Sequence, residues 1–219
     1  MVREALALSI CRTLIVEEKR REEYGEMIAS AQVQGCEILL VTPAIMQAIS
    51  EAKTPQGICC TAAIPSQPQR LEGRLIVAMD GVQDPGNVGT ILRTADAAGF
   101  DGALLSSACA DLYGAKTLRA TMGSIFRVPT LRTDDLPEAL EEMKARGYAI
   151  VATELGGTDF YANCPHENAV LVIGSEGRGV SDAVRAVATH HLALPMRGGA
   201  ESLNAAVAAG IMIYEMARS

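Results

Sequence analysis

Apolar residues in this chain fall into short blocks of two kinds, separated by polar turns. Continuous runs such as Leu75 to Met79 and Ala169 to Ile173 suit strands buried on both faces. Segments such as Leu136 to Arg146 repeat apolar positions at helical spacing. Up to residue 64 the pattern predicts a helix over Met1 to Ala7, a strand over Arg12 to Val16 and a helix over Arg21 to Gln34. A strand over Glu37 to Thr42, a helix after Pro43 and a strand over Gly57 to Ile64 complete a small α/β unit. The stretch Ile64-Pro65-Ser66-Gln67-Pro68-Gln69-Arg70 then sets two prolines among polar residues, the composition of an extended linker. Domains are therefore expected at 1–66 and 73–219, with 67–72 between them.

Beyond the linker, strands and helices alternate. The strands are Leu75 to Met79, Gly102 to Leu105, Ile125 to Pro129, Tyr148 to Thr153, Ala169 to Ile173 and His191 to Leu194. The helices are Val88 to Ala98, Lys116 to Met122, Leu136 to Arg146, Val180 to Ala188 and Ser202 to Ala217. This order predicts an α/β fold with a mostly parallel sheet covered by helices on both faces. Such sheets bind ligands in the loops beyond the carboxyl ends of their strands.

Composition narrows the partners. No apolar run approaches the ~18 residues of a membrane span, and no secretory signal opens the chain, so a soluble cytoplasmic protein is expected. The formal charge of −7 is shared: seven basic and nine acidic residues lie up to Glu72, twelve and seventeen beyond it. Neither half is a basic tail, and any RNA must meet a local basic patch. Cys11, Cys36, Cys59, Cys60, Cys109 and Cys164 form no CxxC pair and read as buried reduced thiols, with Cys59 and Cys60 on opposite faces of a strand. His190 and His191 are adjacent and His166 lies in a loop, so no metal is expected.

Three strand-end loops carry the unusual chemistry. In Asp84-Pro85-Gly86-Asn87-Val88-Gly89-Thr90-Ile91-Leu92-Arg93, the Asp-Pro-Gly turn precedes a helix that Asn87 can cap, and Arg93 falls two turns inside it. Gly174-Ser175-Glu176-Gly177-Arg178-Gly179 brings three glycines that let backbone approach a ligand closely. It lacks the GxGxxG spacing of dinucleotide folds, which disfavours a nicotinamide-dependent dehydrogenase. Glu176 at its tip suits a cationic or neutral ligand better than a phosphate. In Leu194-Pro195-Met196-Arg197-Gly198-Gly199-Ala200-Glu201-Ser202-Leu203-Asn204, a glycine-rich loop leads into a helix of small residues able to pack against a cofactor loop or a second subunit. Ser202 reads as the cap of that helix; Asn204, a poor residue inside a helix, reads as functional.

In this order and spacing the three loops resemble the signature motifs of the SpoU or TrmH family of RNA ribose methyltransferases, within the SPOUT superfamily. The likeness spans about residues 73 to 217 and includes the middle segment Asp111 to Ser124. It implies a C-terminal trefoil knot, which no periodicity suggests, and a homodimer whose site combines both subunits. It implies S-adenosylmethionine as cofactor, held by Gly174, Leu194 and Leu203 with Thr153, Ile173, Met196 and Ser202 around them. Asn87, Arg93, Glu176, Ser202 and Asn204 match the family's catalytic set, and the activity implied is methylation of a ribose 2′-hydroxyl. An arginine is effectively always protonated, so orienting the RNA and lowering the hydroxyl's pKa electrostatically is the easier role for Arg93.

Lys116, Arg119, Arg127, Arg178 and Arg197, all near loop ends or helix starts, are the candidate RNA-binding residues besides Arg93. The stretch from Val41-Thr42-Pro43 to Gln56-Gly57-Ile58 resembles the end of the family's substrate-binding domain, similar to a ribosomal-protein (L30e-like) fold. The family's first helix and strand, which would precede Val2, are absent from this sequence, so the domain is expected to be short or trimmed there. That domain type implies ribosomal RNA ahead of transfer RNA. A catalytically silent RNA-binding protein of the same fold is the rival reading.

Overall fold

The computed structural model describes residues 1–50 and 52–218, and the chain divides into two compact units, Met1–Ser66 and Gln67–Ser219. In the first, strands β1 (Cys11–Glu17), β2 (Glu37–Val41) and β3 (Ile58–Ala62) form a sheet in the order β2-β1-β3, parallel between β1 and β2 and antiparallel between β1 and β3. Helices α1 (Val2–Ala7) and α2 (Gly25–Val33) cover one face through Leu6, Met27, Ile28 and Ala31 against Leu14 and Val16. Helix α3 (Pro43–Ile49) is capped by the Thr42 hydroxyl, which accepts from the Ile45 N–H, and buries Met46.

The helix predicted from Arg21 starts later, at Gly25, because Arg21–Tyr24 form turns that follow the 3₁₀ segment Glu18–Arg20. Cys60 packs with the α1/α2 core while the Cys59 sulfur meets that of Met46 at 3.9 Å, the opposite faces that strand alternation requires. All six cysteines are free, but only Cys11 and Cys109 are buried; the other four are half-buried, which corrects the expectation for them.

The second unit holds six parallel strands: β4 (Leu75–Asp80), β5 (Gly102–Ser106), β6 (Thr130–Thr133), β7 (Ala149–Asp159), β8 (Ala169–Gly174) and β9 (His190–Ala193), in the order β6-β5-β4-β8-β7-β9. The central pair, β4 and β8, is buried on both faces, and its alternation sorts residues between two cores. Leu75, Val77, Met79, Leu171 and Ile173 face helices α4 (Pro85–Ala98) and α9 (Ala205–Ala217). Ile76, Ala78, Val170 and Val172 face α6 (Leu136–Ala145) and α8 (Asp182–Val187). Each such aliphatic side chain contributes about 1.5–3 kcal/mol by burial. Helix α5 (Ala115–Thr121) lies so close to α4 that a Cβ on Gly89 would come 2.5 Å from the Ala120 Cβ.

Three elements differ from the pattern. Residues Ser124–Phe126 form a 3₁₀ turn and β6 begins only after Pro129, because Met122 and Gly123 take positive φ, end α5 and turn Ile125 into the core. Strand β7 runs on to Asp159, with its pairing to β9 interrupted between Thr153 and Thr158 so that residues 154–157 arch away. A short helix α7 (Phe160–Asn163) then buries Phe160 completely. Among the described residues no helix is long and apolar enough to cross a membrane, and no group of three His, Cys, Asp or Glu could hold a metal ion.

Candidate active site

The carboxyl ends of β7, β8 and β9 open into a cavity of about 810 Å³, large enough for a nucleoside-sized ligand. Its wall contains Thr153, Ile173, Gly174, Leu194, Met196, Ser202 and Leu203, the residues expected around a cofactor, together with Glu176, Arg178 and Asn204. The Thr153 hydroxyl is spent inward, donating to the Val172 carbonyl at 2.9 Å. Gly174 is required by packing: a Cβ there would lie 2.0 Å from the Gly179 carbonyl carbon. That contact belongs to a closed loop in which Ser175 and Gly179 exchange backbone hydrogen bonds of 3.0 and 2.9 Å. Asp80, at the end of β4, fixes the loop's far side by accepting the Ser181 N–H at 2.7 Å.

The polar centre is a chain of three side chains from three loops. The Asn87 amide donates to Glu176 Oε1 at 2.6 Å, and the Asn204 amide donates to Asn87 Oδ1 at 3.1 Å. Asn87 is only 9% exposed and cannot turn without breaking both bonds. Burial alone would raise the Glu176 pKa, but hydrogen bonds from Asn87 and from the backbone N–H groups of Glu176, Gln83 and Asp84 leave it below the usual range. The carboxylate therefore stays ionised, stitches the first loop to the second and makes a poor base.

Two caps differ from the sequence reading. Asp84, not Asn87, caps α4, accepting the Asn87 N–H at 2.9 Å, which frees the Asn87 side chain for Glu176. Asn204, not Ser202, caps α9: its Oδ1 accepts from the N–H groups of Ala206 and Val207 at 2.9 and 3.2 Å while its amide reaches Asn87. Sequence reasoning placed the start of α9 too early and so saw Asn204 as a misfit inside a helix. Ser202 is exposed on the cavity wall.

Arg93 is exposed on α4 and lines neither this cavity nor the neighbouring groove, so one chain does not bring it to Glu176 and Asn204. Of the basic candidates, Lys116 pairs with Asp84 at 3.4 Å, beside the first loop. Arg127 directs its guanidinium to Asp96, at 2.9 and 2.7 Å. Arg119, Arg178 and Arg197 are exposed. The groove, of about 520 Å³, runs between α4 and α9 past Asn87, Thr90 and Thr94. Along it α9 exposes Val207, Ile211 and Tyr214, an apolar stripe at helical spacing.

Residues 74–214 match the SpoU rRNA methylase family, and residues 1–68 match the RNA 2′-O ribose methyltransferase substrate-binding family. Over 218 residues the chain is 36% identical to the 23S rRNA (guanosine(2553)-2′-O)-methyltransferase RlmP of Bacillus subtilis, covering 99% of this chain and 85% of that protein. The SpoU methyltransferase AviRb of Streptomyces viridochromogenes, solved in complex with AdoMet, superposes with a TM-score of 0.86 at 29% identity, covering 99% of this chain and 87% of that one. An AdoMet-bound rRNA methyltransferase from Sinorhizobium meliloti superposes with a TM-score of 0.84 at 32% identity, covering 98% and 83%.

Proposed function

The chain belongs to the SpoU rRNA methylase family, and from that premise we propose that it transfers the methyl group of S-adenosylmethionine to a ribose 2′-hydroxyl of ribosomal RNA in the cytoplasm. The observation that carries the reading is the joining of Asn87, Glu176 and Asn204 from three distant loops at the edge of one cavity. That cavity fits the cofactor. Its walls combine the aliphatic side chains of Ile173, Leu194 and Leu203 and loop backbone with polar and charged groups, among them Glu154, whose buried Oε2 is ion-paired to Arg185 without a directed hydrogen bond. Gly174, Leu194 and Leu203 would hold S-adenosylmethionine through their backbones, with Thr153, Ile173, Met196 and Ser202 around it. When bound, S-adenosylmethionine supplies a methyl carbon made electrophilic by a positively charged sulfur.

The chain's own residues position the other reactant. The ionised Glu176 keeps Asn87 fixed, Asn87 and Asn204 present amides toward the entering ribose, and Ser202 offers a hydroxyl at the same wall. Arg93 belongs to this set through a second copy of the chain. A homodimer formed on the apolar stripe of α9 and the α4–α9 groove brings one protomer's Arg93 to its partner's cavity, where it orients the RNA and favours the 2′-oxyanion electrostatically. The path from β9, at the sheet edge, back to α9 beside α4 supports a trefoil knot in which the C-terminal segment threads a preceding loop. Residues 1–66 serve as the RNA substrate-binding domain, of L30e-like fold, and Lys116, Arg119, Arg178 and Arg197 contact RNA phosphates.

The test is methyl transfer from labelled S-adenosylmethionine to ribosomal RNA, followed by digestion to nucleosides. Label is expected on 2′-O-methyl nucleosides; label only on bases would reject the reading. Transfer to transfer RNA alone would move the substrate to the rival RNA class, and binding without transfer would favour a silent RNA-binding protein.

A further inference from the structure

Glu154 lies outside the polar chain at Asn87, yet its side chain is only 18% exposed and it stands in the cavity wall where β7 arches away from β9. Its carboxylate is held from two neighbouring elements. Oε1 lies 2.8 Å from His191 Nδ1 on β9, and Oε2 lies 2.6 Å from Arg185 Nη2 on α8. The Arg185 contact is an attraction of charges without the direction of a hydrogen bond, so buried Oε2 lacks a true donor. A buried carboxylate oxygen in that state is costly unless something supplies the donor. Arg185 is 47% exposed, also faces Asp182 at 3.7 Å, and shares the cavity wall with Glu154. The cavity therefore presents a strong acceptor and a strong donor side by side, outside the hydrogen-bonded chain of Asn87, Glu176 and Asn204.

An ammonium group, which only donates, is attracted by Glu154 but repelled by Arg185; a carboxylate, which only accepts, meets the reverse. Hydroxyls are neutral and do both. Two adjacent hydroxyls match the pair, and a carboxylate at the end of a parallel strand is suited to hold a ribose this way. We propose that Glu154 and Arg185 grip the ribose of S-adenosylmethionine by its 2′- and 3′-hydroxyls, one donating to Glu154 Oε2 and the other accepting from Arg185 as that side chain slides off the oxygen. His191 is a positioning residue, fixing Oε1. The inference rests on the S-adenosylmethionine reading above.

Calorimetry on the full chain tests it with S-adenosylhomocysteine and its 2′,3′-dideoxy analogue, and needs no turnover. The wild type is expected to bind the dideoxy compound about 10- to 100-fold more weakly. In Glu154→Ala that ratio falls at least about threefold, because one of the two hydroxyls has lost its acceptor while the other keeps Arg185. Both affinities are measured on one protein, so general weakening cancels. Should Glu154→Ala not fold by circular dichroism, the half-exposed Arg185→Met decides in its place, with a ratio reduced at least about threefold. A wild-type ratio near one, or an unchanged ratio in the deciding variant, overturns the proposal while leaving cofactor binding intact. Failure of the wild type to bind S-adenosylhomocysteine at all overturns the S-adenosylmethionine reading itself.

Discussion

Asn204 does two jobs with one side chain, and the two can be separated. Its carbonyl oxygen starts α9 and its amide nitrogen reaches Asn87. Asn204→Asp keeps an acceptor for the helix cap, with a charge that the helix N-terminus favours, but has no donor for Asn87. Stability is expected to stay within about 1 kcal/mol in a urea melt, while methyl transfer falls about a hundredfold, as for loss of a preorganised donor; near-normal turnover would remove Asn204 from the site. Asp96 illustrates a residue whose role is structural. Burial would raise its pKa, but Arg127 and Ser124 lower it below the ordinary value. A group depressed in the folded state contributes stability that is complete above the unfolded value and is lost as pH falls through the folded one. Arg127→Ala should therefore cost about 1 kcal/mol or less at neutral pH, since half-exposed Arg127 is partly screened. The cost should vanish in thermal melts below the ordinary aspartate range. A cost that persists there would assign it to packing.

At the scale of elements, the loop 175–179 is set by the glycine before it. In Gly174→Ala the new Cβ must push the Gly179 backbone from its 2.0 Å approach and displace the cavity wall. Affinity for S-adenosylhomocysteine is expected to drop at least about tenfold by calorimetry; unchanged affinity would mean that the loop yields without moving the wall. Leu171→Ala, in the middle of β8, should instead cost about 2–5 kcal/mol of stability in denaturant melts. Much of this architecture could be read in the sequence: the apolar runs of β4 and β8 announce central parallel strands, and Asn87, Glu176 and Asn204 stand out at strand ends. What escaped has local causes. The run around Ile125 looks like a strand because apolar residues read alike in a strand and in a turn folded onto a core, and only the positive φ at Met122 and Gly123 decides. Glu154 escaped because an acidic residue after a strand ordinarily reads as a solvated loop. Its burial depends on His191 and Arg185, distant in sequence. Asp80 and Asp84 escaped for the same reason, as their partners became visible only with the loops in place.

At the scale of the whole molecule, the separation of Arg93 from Asn204 within one chain makes a two-chain prediction. Arg93→Ala and Asn204→Ala should each be inactive. When the two are unfolded and refolded together, about a quarter of the wild-type rate should return, the share of sites that statistical pairing makes whole. No recovery would place Arg93 and Asn204 in the same subunit's site, or Arg93 in none. The sheet order has a further consequence, in time. Leu75 on β4 pairs with Ala169 on β8, and α9, which follows every strand of this sheet, packs on α4, which follows the first of them. Contacts so distant along the chain form slowly and only once both ends are available. On the ribosome the early strands and α4 must wait, apolar faces uncovered, until β8 and then α9 have emerged. The centre at Asn87 is therefore incomplete until Asn204 has been translated, so a nascent chain that stops short of it cannot act on RNA.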